Sequence, residues 1–124
     1  MGTVRKVQIT FDCADPERVA RFWCEVLGYV VPPGQSRVAM DPAGDGPRLY
    51  FQRVPEGKTV KNRVHLDVRV GTGLVGAERL AVLRAESDRL VALGATVFHV
   101  LVADEENESC IVMQDIEGNE FCLD

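Results

Sequence analysis

An alternating apolar and polar run, followed by an amphipathic segment that stops at Leu-Gly, occurs twice in this chain of 124 residues. In the first copy Val7, Ile9, Phe11 and Cys13 alternate with Gln8, Thr10 and Asp12, the period-two mark of a strand with one buried face. Asp15-Pro16-Glu17 follows. It supplies a helix N-cap, a proline at the first helical position and an acidic residue where the helix dipole favours negative charge. Val19, Phe22, Trp23, Val26 and Leu27 then recur at helical spacing, and Gly28 stands where a helix end needs a left-handed residue. In the second copy Val64, Leu66 and Val68 alternate with Arg63, His65, Asp67 and Arg69. A Gly-rich loop, Gly71 to Gly76, leads into a helix over Ala77 to Leu93, with Leu80, Leu83, Leu90 and Val91 on one side, Ser87 interrupting the stripe and Gly94 as the stop.

Short strand candidates bounded by turn residues fill the rest of each copy. They are Tyr29 to Val31, Arg37 to Met40 and Leu49 to Val54 in the first, and Thr96 to Val102, Cys110 to Met113 and Glu120 to Leu123 in the second. Asp104 to Glu108 reads as a solvated loop and Glu117-Gly118-Asn119 as a tight turn. The polar stretch Pro55 to Lys61 separates the copies near the midpoint. Each copy therefore reads βαβββ, about residues 5–54 and 62–124, with 55–61 as a linker. A unit that cannot cover its own sheet packs beside another. The expectation is one α+β domain over residues 1–124, its two modules forming a cupped, mixed sheet of eight strands.

Composition narrows the partners. Lys and Arg total 14 against 19 Asp and Glu, a net charge of −5, which argues against a phosphate-tracking surface and against nucleic acid. No apolar run approaches the roughly 20 residues that cross a bilayer, and Met1 to Arg5 opens no secretory pattern. A cytoplasmic protein with no membrane partner is expected. Cys13, Cys24, Cys110 and Cys122 fit no CxxC zinc spacing and are expected as reduced thiols, with Cys13 and Cys24 read as small buried hydrophobes.

If the helices cover the apolar face, the opposite face carries Gln8, Thr10 and Asp12, then Tyr50 and Gln52, then Arg63, His65, Asp67 and Arg69. The same parity turns Glu120 and Cys122 onto it. A curved sheet so lined is a mixed-polarity pocket of the kind that holds small molecules. Arg63, His65 and Asp67 form its densest constellation, at i, i+2 and i+4 of a strand expected to be central. Arg63 suits a two-point clamp on a carboxylate or phosphate, and His65 suits proton transfer near neutral pH. Asp67 suits fixing the tautomer of His65, although side chains two apart on a strand are poorly placed to bond; the bland alternative is a solvated face. Trp23 reads as core and His99 as a satisfied structural histidine. No phosphate-binding GK[ST] loop and no Gly-x-Ser-x-Gly elbow is present.

Four segments together carry a family resemblance: Asp15-Pro16-Glu17-Arg18 through Phe22-Trp23 to Leu27-Gly28, Asn62-Arg63-Val64-His65-Leu66-Asp67, Leu93-Gly94-Ala95, and Asp115-Ile116-Glu117-Gly118-Asn119-Glu120-Phe121. In this order and spacing the chain resembles the vicinal oxygen chelate superfamily, and within it the glyoxalase/bleomycin resistance/dioxygenase proteins. The resemblance implies paired βαβββ modules, an open cupped sheet, a homodimer, and in many members a divalent metal in the cup. The family's metal-ligand places fall on Gln8, Gln52, His65 and Cys122. That set holds one imidazole, two neutral amides and a thiol, with no carboxylate, so a hard octahedral ion is not favoured and no cofactor is expected.

Two functions stay open. One is a binding protein that sequesters or senses a small organic ligand, with Gln8, Tyr50, Gln52, Arg63, His65, Asp67, Cys110 and Cys122 lining the cup. The alternative is an enzyme of the same fold, a lyase, isomerase or dioxygenase-like protein, with His65 as general base or metal ligand and Arg63 stabilising an oxyanion.

Overall fold

A computed structural model describes residues 2–124. The chain divides into two compact units, Met1–Gly57 and Lys58–Asp124. The first contains β1 (Gln8–Cys13), α1 (Pro16–Leu27), β2 (Val38–Ala39) and β3 (Arg48–Arg53). The second contains β4 (Leu66–Val68), α2 (Gly76–Ala92), β5 (Thr96–Leu101), β6 (Cys110–Gln114) and β7 (Glu120–Leu123). The α+β class expected from the sequence is the class observed.

In the first unit the strand order is β1-β3-β2, with β1 parallel and β2 antiparallel to β3. Helix α1 begins where the sequence places it: the Asp15 side chain accepts from Arg18 N, and Gly28 closes the helix at φ 69° in the left-handed region. Its apolar face carries Val19, Phe22, Trp23 and Val26 into the core, where Trp23 is fully buried. The Phe11 ring stacks between Trp23 and Phe51, at centroid distances of 5.0 and 5.2 Å. Leu49 and Phe51 point the same way, which leaves Tyr50 and Gln52 on the other face of β3. Two expectations fail here. Val7 lies before β1 and is exposed. The strand expected at Tyr29 to Val31 shrinks to one bridge, in which Val30 and Met40 exchange two backbone hydrogen bonds of 2.9 Å. Pro32 and Pro33 follow directly and have no N–H to extend a ladder. The described residues therefore form seven strands and a bridge rather than eight strands.

In the second unit the order is β4-β7-β6-β5, with β4 parallel to β7 and the other pairs antiparallel. Leu83 and Leu90 of α2 pack over a core that includes Ile111, Met113, Phe121 and Leu123. Ser87 lies buried between those two leucines, whereas Val91, expected in the stripe, is exposed because it sits about 100° round the helix from Leu90. No side chain of its own caps α2, and Glu108 from the loop before β6 reaches Gly76 N at 3.4 Å instead. Gly94 ends the segment at φ 112°, and a Cβ there would lie 2.9 Å from Ile116 Cγ2.

The strand expected from Arg63 to Arg69 is only three residues long, and it is an edge strand of its four-stranded sheet rather than a central one. Arg63 and Val64 lie in a bend and Val64 is 79% exposed, because the backbone N–H of Asn62 is committed to the Glu120 carboxylate instead of a ladder. In β5 the register shifts between Val97 and His99, so Phe98 bulges outward. His99 is exposed in consequence and is not the satisfied structural histidine expected. No helix among the described residues is long and apolar enough to cross a membrane.

Candidate functional site

The second unit brings three of the expected site residues together. Parallel pairing sets Asp67 of β4 beside Cys122 of β7, and antiparallel pairing sets Cys122 beside Val112 of β6. His65 lies one residue before β4, outside the strict alternation of the strand. Its Nε2 comes within 3.1 Å of Asp67 Oδ1, which is ion-pair distance without the alignment of a hydrogen bond, as expected of side chains two apart. Both side chains are about half exposed, at 42% and 50%, so the pair is open to solvent and to a ligand.

Cys122 is 9% exposed and stands opposite Asp67 on the neighbouring strand. One ligand atom from each of His65, Asp67 and Cys122 lies within 4.8 Å of the others. Burial first, then the neighbouring Cys110 and the Asp67 carboxylate, push the Cys122 thiol up to about 11. The sulfur is therefore protonated at neutral pH. Asp67 adjoins both other groups, 3.1 Å from the imidazole nitrogen and opposite Cys122 across the paired strands. This order differs from a thiol-nucleophile triad, in which the imidazole stands between sulfur and carboxylate.

Cys110 shares that sheet face and is half-buried at the start of β6. Burial, then Asp124 and Asp67, push its thiol up, and Arg79 partly offsets them. It borders a groove of about 450 Å³ lined also by Arg79, Leu101, Ser109 and Asp124. A smaller groove of about 290 Å³ lies over Lys58, Lys61, Phe98, Gln114 and Glu120. None of the four cysteines forms a disulfide. Cys13 is buried as expected, while Cys24 is only partly so. Arg63, in its bend before β4, is exposed and does not continue the line of His65 and Asp67 along a strand.

Glu120 was expected to face outward with Cys122. It is instead 7% exposed and ties the connector to β7. Lys58 Nζ lies 3.0 and 3.1 Å from its two oxygens, Asn62 N donates at 2.7 Å and Gln114 Nε2 at 3.5 Å. Burial raises its pKa, but the hydrogen bonds from Asn62, Lys58 and Gln114 outweigh burial and hold the carboxyl below its ordinary value. The one sequence signal for this role is a glutamate beside the apolar Phe121-Cys122-Leu123 run.

In the first unit the polar face is a set of cross-strand pairs, Gln8 with Arg48, Thr10 with Tyr50, and Asp12 with Gln52. Arg48 is a residue the sequence reading missed by starting its strand at Leu49; strict alternation back from Tyr50 finds it. Its guanidinium donates to Gln8 Oε1 and, at 3.0 Å, to Gln35 Oε1. Gln8 Nε2 points to Thr10 Oγ1 at 3.5 Å. A fixed positive charge on the Gln8 amide oxygen opposes a cation there. The Gln52 side chain is exposed, and its backbone carbonyl accepts from Cys13 Sγ at 3.6 Å.

Of the four metal-ligand places implied by resemblance, His65 and Cys122 lie together in the second unit. The carboxylate missing from that set is supplied by Asp67. An ion held about 2.1 Å from a nitrogen and an oxygen needs them roughly 3.0–3.5 Å apart, and 3.1 Å meets this requirement. The N, O and S donors fit a thiophilic ion with tetrahedral preference and do not fit the all-oxygen environment that Mg, Ca or Mn prefers.

A family model described as a glyoxalase-like domain matches residues 8–123. No curated protein matches the chain. Similar solved structures include a glyoxalase/bleomycin resistance protein/dioxygenase family enzyme from Burkholderia phytofirmans PsJN, at 15% identity and TM-score 0.68, covering 94% of each chain. The fosfomycin resistance protein FosX from Mesorhizobium loti is similar at 16% identity and TM-score 0.66, covering 98% of this chain and 92% of its own. FosX from Listeria monocytogenes, in complex with Mn(II) and sulfate ion, is similar at 13% identity and TM-score 0.70, covering 98% of this chain and 90% of its own. These identities speak for the fold alone. With the match running from β1 to the end of β7, the chain belongs to the glyoxalase-like domain family.

Proposed function

We propose that this chain binds a small organic molecule on the polar face of its second unit, with the His65–Asp67 pair as the anchor. The observation that carries this reading is the 3.1 Å contact between His65 Nε2 and Asp67 Oδ1. A carboxylate this close to Nε2 favours the tautomer with its proton on that nitrogen and leaves Nδ1 as an acceptor. With the ring half exposed, Nδ1 is available to a hydroxyl, enol or acid hydrogen of a ligand. The Listeria FosX relative is described with a dihydroxypropylphosphonic acid, a small polar molecule of this general kind. Arg63, exposed two residues upstream of His65, is the residue to pair with an anionic group of the ligand.

The same tautomer supports the enzyme alternative, since an oriented Nδ1 is also the atom a general base uses. The neutral Cys122 thiol is not the nucleophile in either reading, because burial and its neighbours Cys110 and Asp67 hold its proton tightly. If a divalent ion is bound, His65, Asp67 and Cys122 are the residues to hold it, and the ion would polarise an oxygen of the ligand as a Lewis acid.

The test is a thermal-shift screen of the chelator-treated protein against small hydroxy acids, phosphonates and enolisable carbonyl compounds. A binder present at 100 times its Kd stabilises the fold by about 2.7 kcal/mol. That shift is expected to vanish in His65→Ala and to shrink in Asp67→Asn, with melting of the unliganded variants little changed. A binder that shifts His65→Ala as strongly as wild type overturns the assignment.

A further inference from the structure

We infer that His65, Asp67 and Cys122 form a binding site for a thiophilic divalent cation of the zinc type, complete within the second unit and selective against manganese. The inference goes beyond ligand binding and does not depend on it, since an organic molecule can dock on the His65–Asp67 pair with or without an ion.

Three arguments converge. The donor atoms of these side chains already lie within 4.8 Å of one another. His65 Nε2 lies 3.1 Å from the Asp67 carboxylate, and parallel pairing sets Asp67 opposite Cys122. A dication seated between the three atoms takes the place of the thiol proton and of any proton on the imidazole nitrogen that faces it. The imidazole stays neutral by carrying its proton on the nitrogen that faces away, and the thiol proton passes to solvent. The ion then meets one imidazole, one carboxylate and one thiolate, so its two positive charges are balanced.

The choice of ion follows from donor chemistry. Zinc binds sulfur, nitrogen and oxygen together at roughly 2.0–2.3 Å and accepts three protein ligands with an open fourth position. Manganese prefers oxygen donors and near-octahedral surroundings, which a three-donor set containing sulfur does not offer. This separates the present chain from the Listeria FosX neighbours that are described with Mn(II). Asp67 supplies from within the second unit the carboxylate that the set Gln8, Gln52, His65 and Cys122 lacks.

Cobalt(II) reports the site without any assay of activity, since a cobalt–thiolate bond gives a charge-transfer band in the near ultraviolet that oxygen and nitrogen ligands do not. Reduced, chelator-stripped full-length protein is titrated with cobalt(II). One equivalent is expected to produce the band. Cys122→Ser is expected to remove it, and Asp67→Asn and His65→Ala to weaken cobalt binding more than about tenfold. Zinc displaces the cobalt, whereas manganese(II) at the same concentration does not, and electron paramagnetic resonance finds the manganese free. Cys110→Ser keeps the band. Circular dichroism of each variant confirms that it is folded. Absence of the band in wild type overturns the inference, as does a band that survives Cys122→Ser and is lost in Cys110→Ser, or displacement by manganese as readily as by zinc. The thermal-shift screen runs in chelator, so failure here leaves ligand binding standing, and failure there leaves this site standing.

Discussion

Replacing Glu120 by alanine is expected to loosen the segment that delivers His65 to Asp67. The carboxylate is 7% exposed and receives Lys58 at 3.0 Å and Asn62 N at 2.7 Å, so alanine strands an ammonium and a backbone N–H together. Breaking a fully buried ion pair costs about 3–5 kcal/mol. Lys58 keeps 27% of its side-chain exposure and re-hydrates on losing its partner, which reduces that cost. A hydrogen bond to a charged acceptor contributes about 1.5–3 kcal/mol, and together these give roughly 2–4 kcal/mol for Glu120→Ala. Glu120→Gln retains one acceptor oxygen and is expected to cost about half as much. Urea unfolding followed by circular dichroism measures the loss, and a double-mutant cycle with Lys58→Ala separates the ion pair from the backbone bond. Hydrogen exchange at Asn62 and at residues 63–66 is expected to accelerate in the same variants. A change within about 0.5 kcal/mol, with Asn62 still protected, refutes the role assigned to Glu120.

Two further expectations concern local backbone. Gly94→Ala places a Cβ 2.9 Å from Ile116 Cγ2 at φ 112°, and the strain is expected to cost about 1–3 kcal/mol, read as a fall in melting temperature; an unchanged melting temperature contradicts the close approach. Asp41 accepts from the N–H groups of Ala43, Asp45 and Gly46, and these bonds hold its carboxyl below the ordinary value. A carboxyl depressed on folding stabilises the folded loop above its unfolded pKa and loses that contribution as pH falls through the folded value. Carbon-detected NMR titration is therefore expected to find Asp41 titrating below an ordinary aspartate, with Gly46 N–H losing protection over the same interval; an ordinary midpoint refutes it.

How much of this was legible in the chain depends on whether the cause was local. Helix α1 was readable to the residue, because Asp15, Pro16 and Gly28 act on their own backbone. The alternating faces of β1 and β3 were readable because Ile9, Phe11, Leu49 and Phe51 must share one core. The length of β4 was not, since Val64, Leu66 and Val68 alternate identically whether or not Val64 is in a strand. What shortens it is Glu120, 58 residues from Asn62 in the chain. The bulge at Phe98 likewise has no mark in its neighbours. At the site, His65 and Cys122 were found by motif and parity, and Asp67 was already singled out beside them. Its closeness to the imidazole was hidden because a full strand holds side chains two apart parallel, whereas β4 begins only after His65. Arg48 was hidden by a strand boundary drawn one residue late.

The most direct test of the site is the protonation pattern of the His65 ring, read from long-range nitrogen–proton NMR spectra of chelator-treated protein near neutral pH. The expected result is the Nε2–H tautomer in the uncharged ring, a pattern lost in Asp67→Asn. A ring protonated mainly on Nδ1, or a spectrum that Asp67→Asn leaves unchanged, contradicts the His65–Asp67 anchor on which the functional reading stands.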